Sequence, residues 1–382
     1  MLFTLNLRRS CYEKRMTDNQ KTPLFDIHTE LGAKLAPFAG WDMPIQYEGI
    51  LAEHFWTRNE ASIFDTCHMG ELELRGPTAE ADLEKLLTLR VKTIKEGQCR
   101  YGFLLNESGG VIDDLTCYRR GPEHFFLVVN AGTREADVAW IQSHLSADTQ
   151  FTDLSPTRAK LDVQGPKAKA CIEAILGEPL PELGYFKFTD HNLAGIPMTI
   201  SRTGYTGEWG YEFYFDANHA ADFWNKLTAS GTIKPAGLGA RDTLRLEMGY
   251  ALYGHELSEQ RSPVGVTGGS FISFRKDFIG HDICQQDLEA LEGGESAEPR
   301  KLVGLKLESK RAARAHDTVV SGGQVVGEVT SGSVSPSLNV AIAMALVDAT
   351  ACNQELAISV RGKELPCQVV ELPLWGEGSA RK

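Results

Sequence analysis

The stretch "NESGGVIDDLTCY", residues 106–118, places two adjacent carboxylates, Asp113 and Asp114, in an apolar segment with the composition of a β-strand. Successive side chains of a strand point to opposite faces, so Asp113 and Asp114 cannot share one environment. Aspartate is depleted in strands and is costly to bury without a partner. One carboxylate can lie in water, and the other therefore needs a partner, a ligand or a cavity.

Length and charge limit the class of protein around this stretch. The chain has 382 residues, enough for two or three domains at about 150 residues each. Its 39 Lys and Arg against 51 Asp and Glu give a net charge of -12, which disfavours nucleic acid or an anionic membrane surface as the main partner. No apolar run approaches the ~20 residues of a membrane span. We therefore expect no nucleic-acid and no membrane partner.

The cysteines and the N-terminus bear on the compartment. The eight cysteines form no CxxC pair and are too sparse for a disulfide scaffold, which favours a reducing compartment. Residues 1–16, "MLFTLNLRRSCYEKRM", lack the apolar core and the cleavage site of a secretory signal. We expect a cytoplasmic protein, or one of the mitochondrial matrix if these residues are an organelle leader. An upstream extension before a start at Met16 is the other interpretation.

The periodicity of apolar residues indicates two kinds of architecture along the chain. From Thr22 to about Gln286, strand-like and helix-like patterns alternate, which is typical of an α+β or α/β region. Small, acidic and proline residues replace that pattern near residue 295, so we predict a domain boundary there, between 17–295 and 296–378. The second region consists of short alternating runs separated by turns, which predicts a small antiparallel barrel or sandwich.

Several common catalytic motifs are missing from the sequence. The phosphate-binding GxxxxGK[ST], the zinc-binding HExxH, the dinucleotide-binding GxGxxG and the nucleophile-elbow GxSxG do not occur. In "DTCHMG", Cys67 precedes His68, but adjacent strand residues face opposite ways. A Cys-His catalytic pair is therefore not expected, and neither is a metal site.

Two of the glycine-rich stretches each allow a structural and a functional interpretation. "SRTGYTGEWGYEFYF", residues 201–215, is either a hairpin with packed aromatics and a solvated Glu212, or a surface where backbone and aromatics approach a flat ligand and Glu212 bonds its polar edge. Arg241, in "AGLGARDTLRLEMG", either forms a helix-start ion pair with Asp242 or serves a ligand.

These two stretches, together with "FAGWDMPIQY" (residues 38–47) and "GGVIDD", resemble in order and spacing the T protein of the glycine cleavage system, a tetrahydrofolate-dependent aminomethyltransferase. The resemblance runs from about Thr22 to about Trp375. It implies an α+β, three-lobed, cloverleaf-like fold: two intertwined α+β lobes, one of them ferredoxin-like, and a C-terminal antiparallel β-barrel, with folate between them.

The resemblance also implies roles for individual residues. Asp114 matches the catalytic aspartate of the family, Glu212 its pterin-contacting glutamate and Arg241 its folate-binding arginine. Four further positions match residues that line the folate pocket: Tyr101, Met69, Asn130 and Tyr205. On this interpretation Asp114 faces the pterin, and Asp113 is its outward neighbour.

The implied reaction starts from an aminomethyl group on the lipoyl arm of a carrier protein, the H protein. Tetrahydrofolate is the acceptor of the methylene, ammonia is released and the dithiol is left reduced. Two alternatives stay open from the sequence. One is a folate-dependent demethylase that acts on a free methylated amine or sulfonium donor. The other is a non-catalytic folate-binding protein of the same superfamily.

One stretch, Ser262 to Phe278 ("SPVGVTGGSFISFRKDF"), departs from the family pattern, and we call it the divergent loop. Relatives that act on a free methylated donor would differ from the family where the donor enters, so this loop is consistent with the demethylase alternative. Arg275 and Lys276 at its end are candidates for contacting the carrier. Lipoyl carriers of the glycine cleavage system are generally acidic, and two net-negative proteins associate only where local positive charge faces the partner.

Overall fold

The computed structural model describes residues 19–293 and 299–382. The sequence before residue 19, with both candidate start positions, and the predicted boundary near residue 295 lie outside the described residues. The leader and the boundary therefore stay predictions. Among the helices of the described ranges, none is both long and apolar enough to span a lipid bilayer.

Helices and strands alternate through the first three quarters of the chain, and strands alone make up the last quarter apart from one short turn of helix. The α-helices are α1 (Phe25–Glu30), α2 (Ile50–Asn59), α3 (Ala79–Leu86), α4 (Arg134–His144), α5 (Ala168–Leu176), α6 (Ala220–Thr228), α7 (Leu238–Glu247), α8 (Val264–Thr267) and α9 (His281–Gly293). Short 3-10 helices cover Val91–Thr93, Ser155–Thr157, Ala217–His219 and Ala349–Ala351.

The strands fall into two groups, before and after α9. The first group is β1 (Lys34–Phe38), β2 (Trp41–Gln46), β3 (Ala61–Asp65), β4 (Gly70–Arg75), β5 (Gln98–Leu105), β6 (Val111–Gly121), β7 (His124–Val129), β8 (Gln150–Asp153), β9 (Arg158–Gln164), β10 (Phe188–Leu193), β11 (Ile196–Ser201), β12 (Gly210–Asp216) and β13 (Ile233–Pro235). The second group is β14 (Lys301–Leu307), β15 (Thr318–Ser321), β16 (Gln324–Ser335), β17 (Val340–Val347), β18 (Leu356–Val360) and β19 (Lys363–Val370).

The first two lobes are intertwined because the chain leaves one sheet and later returns to it. A six-stranded sheet has the order β10-β11-β12-β9-β3-β13, and a five-stranded sheet has the order β5-β6-β7-β4-β8. The chain thus passes from β3 into the whole five-stranded sheet and comes back with β9, which pairs antiparallel with β3. This confirms the predicted α+β class.

The six-stranded sheet is covered on one face by helices with an apolar stripe. In α6 the buried residues Ala220, Phe223, Trp224 and Leu227 recur at the spacing of one helix face. They pack with Ile172 of α5 on inward side chains of the sheet. From β9 through α5, β10 to β12, α6 and β13, the chain follows the order strand, helix, three strands, helix, strand, which is the ferredoxin-like order with one additional strand between the helices.

The two sheets meet through a buried aromatic cluster. Tyr118 and Phe126 come from the five-stranded sheet, and Phe188 and Tyr214 come from the six-stranded sheet. The hydroxyl oxygens of Tyr118 and Tyr214 are 2.9 Å apart. Because buried aromatic pairs and a buried hydroxyl bond hold one geometry, β6 is fixed against β12 at this point.

The C-terminal strands form the predicted antiparallel barrel. Its order is β14-β17-β16-β15-β18-β19, and pairing of β14 with β19 closes it. Alternate residues of β17, including Ala343 and Ala345, fill the interior, whereas Ile342 and Met344 face outward and pack with Leu246 of α7. The barrel therefore docks directly on the helix that carries Arg241.

Candidate active site

The turn before β6 depends on glycine. Gly109 has φ +78°, a left-handed conformation that glycine adopts without strain. At Gly110 a Cβ atom would lie 1.7 Å from the main-chain oxygen of Glu259, so no larger residue fits. The turn delivers the chain into β6, where Asp113 pairs with Leu104 and Asp114 with Phe103 of β5.

Asp114 is half-buried and is held by two donors. The Tyr101 hydroxyl donates to its Oδ2 at 3.0 Å, and Nδ2 of Asn130 donates to its Oδ1 at 2.9 Å. Burial raises the pKa of Asp114 to about 6, and the two hydrogen bonds limit the rise. The carboxyl group is therefore mostly ionised at neutral pH and close enough to its pKa to accept a proton.

The prediction that Asp113 points outward to solvent is wrong. Asp113 is fully buried and accepts hydrogen bonds from the main-chain N–H of Asn130 at 2.9 Å and from its Nδ2 at 2.8 Å. Strand alternation does send Asp113 and Asp114 to different faces, but helix α4 covers the second face and contributes a further buried carboxyl, Asp137. Sequence reasoning missed Asp137 as well.

A second charged cluster lies between the six-stranded sheet and α7. Nζ of Lys160 contacts the carboxylate of Asp162 and lies 2.8 Å from Oε1 of Glu212. Nη1 of Arg241 donates to Oδ2 of Asp162 at 2.9 Å. Burial opposes every charge in this cluster, but Lys160 and Arg241 hold the pKa of Asp162 below its ordinary value. The two carboxylates raise the pKa of Lys160 in turn.

Lys160 and Asp162 were missed from the sequence although a signal was present. In "RAKLDVQ" the charged residues alternate with apolar ones, so both charges lie on one face of β9. Such alternation is also typical of a strand with one solvated face, so the sequence shows that the two residues share a face but not that this face is buried.

Glu212 is not solvated, in contrast to the interpretation of residues 201–215 as a purely structural hairpin. Its Oε2 accepts hydrogen bonds from the Tyr214 hydroxyl at 2.9 Å and from the Thr203 hydroxyl, while Oε1 receives Lys160. Its side chain is 12 % exposed. Glu212 is thus a rigid carboxylate whose Oε1, with Lys160 as its one described partner, keeps a second acceptor position for a ligand.

Arg241 does not form the alternative ion pair with Asp242, because that carboxylate pairs with Arg245 at 2.8 Å. The guanidinium carbon of Arg241 lies 4.9 Å from the ring centroid of Tyr205. Apart from the bond to Asp162, no guanidinium N–H group of Arg241 forms a hydrogen bond with a side chain or main-chain group of residues 19–293 and 299–382. Those donors are available to an anionic or carbonyl-bearing ligand.

Tyr205 links the two clusters. Its ring stacks on Tyr250 with centroids 5.7 Å apart, and its hydroxyl donates to the main-chain oxygen of Ala251. Ala251 packs against the same apolar cluster as Tyr101, whose hydroxyl donates to Asp114, so Tyr205 approaches Asp114 through these two residues. Burial raises the pKa of Tyr205, and the negative charge of Asp114 adds to this rise. The structure therefore brings Asp114, Tyr101, Asn130 and Tyr205 to the same site as Arg241.

The turn after β3 holds Met69, which is half-buried and packs on the aromatic cluster that includes Tyr214. The preceding His68 is buried, and burial lowers its pKa to about 4. Burial also raises the pKa of Cys67 well above its ordinary value, so its sulfur is a thiol that donates to a main-chain oxygen at 3.4 Å. These two residues do not form a nucleophile and base.

The divergent loop closes one side of the site. The main-chain oxygen of Phe271 accepts a hydrogen bond from the Thr88 hydroxyl at 2.9 Å, and the half-exposed Phe271 ring lies 5.1 Å from Tyr101 in an edge contact. Lys276, a candidate for contacting the carrier, does not point to solvent, because its ammonium group contacts main-chain oxygens of α3 and the residue after it, and 7 % of its side chain is exposed. Arg275 is exposed.

A separate cavity of about 460 Å³ lies between the divergent loop and the barrel. Arg261, Ser262 and Asp287 line one side, and Glu328 and Thr330 of β16 line the other. None of the seven predicted site residues lines it. The candidate site is accordingly defined by converging side chains between the lobes and not by this cavity.

Comparison with known proteins identifies the family. The family model of the GCVT N-terminal domain matches residues 24–276, and the model of the glycine cleavage T-protein C-terminal barrel domain matches residues 300–375. A curated aminomethyltransferase of Bacillus cytotoxicus is 40% identical over 364 residues, which cover 93% of this chain and 98% of that protein. One of Shouchella clausii is 41% identical over 363 residues, covering 93% and 97%.

The fold comparison agrees with the sequence comparison. The crystal structure of the glycine cleavage system aminomethyltransferase T from Bartonella henselae matches with a TM-score of 0.84 and 32% identity, covering 95% of this chain and 99% of that one. Both family models and full-length relatives thus agree on the whole architecture. The chain belongs to the glycine cleavage T-protein family and is an aminomethyltransferase.

Proposed function

We propose that this aminomethyltransferase takes the methylene of an aminomethyl group from a lipoyl arm of the H protein and transfers it to tetrahydrofolate, with release of ammonia. The observation that carries the assignment of the site is the environment of Asp114. It is a half-buried carboxylate between Tyr101 and Asn130, with a pKa near 6 and no ion-pair partner among the described cations. Such a group is suited to accept a proton at neutral pH.

The residues present fit a reduced folate. A pterin is flat, and its edge carries N–H donors and a carbonyl. Asp114 and Oε1 of Glu212 are acceptors for such donors, and the rings of Tyr101 and Tyr205 offer aromatic surface. Arg241 has N–H groups with no described partner to meet ligand oxygens. When bound, tetrahydrofolate supplies the ring nitrogens that take up the methylene carbon.

Each residue then has a distinct task. Asp114 takes the proton that leaves the attacking nitrogen, and Tyr101 and Asn130 keep its two oxygens oriented. Lys160 and Asp162 hold Glu212 and Arg241 in place as fixed charges. The walls of the site are buried, which limits water that would otherwise hydrolyse the transferred carbon to formaldehyde.

The donor and the compartment rest on the family. The relatives compared above are bacterial aminomethyltransferases, which supports a carrier-bound donor over the free-donor demethylase, and a cytoplasmic location over the mitochondrial matrix. The domain division between 17–295 and 296–378 is proposed on the same ground.

The decisive experiment compares donors. Purified protein and tetrahydrofolate are incubated either with aminomethylated lipoyl carrier or with free methylated amines, and both ammonia and methylene-tetrahydrofolate are quantified. We expect one equivalent of each product from the carrier and none from the free amines. Product from a free amine, with none from the carrier, would overturn the proposed donor.

A further inference from the structure

Behind the catalytic strand lies a pair of buried carboxyl groups, Asp113 of β6 and Asp137 of α4. Both residues have 0 % of their surface exposed. Neither oxygen of Asp137 accepts a well-formed hydrogen bond from any group of the described chain. The hydroxyl of Thr133, which lies beside both carboxyls, donates its single hydrogen to the main-chain oxygen of Asn130 at 3.2 Å.

The surroundings of the pair add negative charge. Asp114 lies next to Asp113 on the same strand, and its carboxylate is the further negative charge that acts on both members of the pair. The cations of the neighbouring elements bind other carboxylates. Arg134 of α4 pairs with Asp153 at 3.0 Å, and Arg245 of α7 pairs with Glu256 at 3.2 Å.

Two ionised carboxylates cannot be stable side by side in such a place. Charge burial without a partner is so costly that one group takes up a proton, and a carboxyl then donates to the neighbouring carboxylate. Helix α4 packs on β6, and the two buried carboxyls can form a hydrogen bond with each other only if one of them carries that proton. Two N–H donors of Asn130 stabilise the ionised form of Asp113, whereas no donor of the described chain reaches Asp137, so the proton belongs on Asp137. Burial, with the Asp113 charge in second place, raises the pKa of Asp137 to about 10, in agreement with this.

We propose that Asp137 donates a permanently held proton to Asp113, and that this singly charged pair positions Asp114 through the side chain of Asn130. Nδ2 of Asn130 contacts Oδ1 of Asp113 at 2.8 Å and Oδ1 of Asp114 at 2.9 Å, so the amide bridges the pair and the proposed base. Asp113 and Asp137 are positioning residues, because neither reaches the open side of the site. The positioning part of this inference rests on the proposed role of Asp114.

The first test measures the proton without catalysis. The folded pKa of Asp137 lies far above the unfolded value of about 4. The folded state therefore binds more protons than the unfolded state between these values, and stability falls as the pH rises through this window. Asp137→Asn keeps a donor toward Asp113 but cannot ionise. The ratio of its folding equilibrium constant to that of the parent is therefore expected to increase by up to tenfold per pH unit from pH 6 to pH 9.

Urea unfolding of full-length parent, Asp137→Asn and Asp148→Asn at several pH values provides this measurement. Asp148 is an exposed carboxylate and serves as the matched control, whose curve is expected to run parallel to that of the parent. A curve for Asp137→Asn that also runs parallel to the parent would overturn the shared proton. This result is independent of turnover, so it stands whether or not Asp114 is the base.

The second test measures positioning by the pH dependence of kcat/KM. In Asp137→Asn the pair keeps one negative charge. The acidic limb of the kcat/KM profile is therefore expected at the same pH as in the parent. In Asp113→Asn the neutral Asp137 leaves no charge behind Asp114, so the limb is expected to move to lower pH by about one unit. A purely structural role would move neither limb. Unmoved limbs in both variants, or a shift in Asp137→Asn alone, would contradict the proposal.

Discussion

The site contains two buried clusters of carboxylates that differ in whether cations accompany them. Around Asp162, Lys160 and Arg241 supply positive charge, and the pKa of Asp162 lies below its ordinary value. Around Asp113, the neighbours are carboxyl groups and an amide, and burial raises the pKa of Asp113 to about 7. One residue type thus provides fixed charge in one cluster and titratable groups in the other.

The contrast indicates a division of labour. Carboxylates with lowered pKa stay ionised through catalysis and can hold a ligand-binding arginine in place. Carboxyl groups with raised pKa can carry protons at neutral pH, which chemistry at a nitrogen requires. We expect substitutions in the two clusters to have different effects: loss of turnover in the cluster around Asp113, and loss of stability or folate affinity in the cluster around Asp162.

The largest effect is expected from Asp114→Asn. The amide cannot accept the proton, and a positioned base contributes on the order of 10²-fold or more to the rate. Turnover should fall by at least that factor, while tetrahydrofolate still raises the melting temperature. The exposed Asp148→Asn serves as the control and should keep parental turnover. If Asp114→Asn turned over like the parent, Asp114 would not be the base.

Lys160→Met tests the cation-containing cluster. The methionine fills the volume but leaves Asp162 and Glu212 facing each other in a buried place. Removing one partner of a buried ion pair costs about 3–5 kcal/mol, so urea unfolding at pH 7 should show a loss of this size. Because the folded pKa of Asp162 is lowered, its ionised form stabilises the folded state above about pH 4, and this stabilisation is lost below that pH. The difference in free energy of unfolding between Lys160→Met and the parent should therefore decrease on acidification.

The control for this variant is Lys306→Met, at an exposed lysine of β14, where we expect little change in stability. A Lys160→Met protein as stable as this control would mean that the cluster does not need its buried cation.

The sequence allowed prediction of much of this arrangement, because local patterns decide it. Alternating apolar runs with turns predicted the barrel, and strand alternation separated Asp113 from Asp114 correctly. Alternation does not reveal what covers each face, however. The packing of α4 on β6 is a tertiary contact between segments about twenty residues apart, and it buries Asp113 together with Asp137. Lys276 was misassigned for the same reason, since its partners lie in α3, far away in the chain.

Arg241→Ala is expected to have an intermediate effect, on folate binding. A ligand that binds only the native state stabilises it by about 2.7 kcal/mol at a hundredfold excess over Kd, and a tenfold weaker Kd removes about 1.4 kcal/mol of this. The rise in melting temperature with tetrahydrofolate should therefore shrink by about half. Arg75→Ala, at an exposed strand arginine, should keep the full rise. An undiminished rise in Arg241→Ala would remove this residue from the folate site.

The smallest effect is expected outside both clusters, at Arg275 of the divergent loop. The chain has a net charge of -12, and lipoyl carriers of the glycine cleavage system are generally acidic, so docking of the proposed carrier requires local positive charge. The exposed Arg275 can provide it, whereas Lys276 cannot, because burial lowers its pKa to about 8 and its ammonium group contacts main-chain oxygens. A rim charge affects mainly the association rate and its salt dependence.

Arg275→Glu should therefore raise the KM for the carrier about threefold to tenfold at low ionic strength, and less at high ionic strength, where exposed charges are screened over about 10 Å or less. Folate-induced stabilisation should not change, since the residue lies outside the cluster that holds Arg241. Lys301→Glu, at an exposed lysine on the barrel, is the matched control for the change in net charge and should leave the KM nearly unaltered. If the two variants raise the KM equally, the effect is that of overall charge, and the divergent loop is not where the carrier docks.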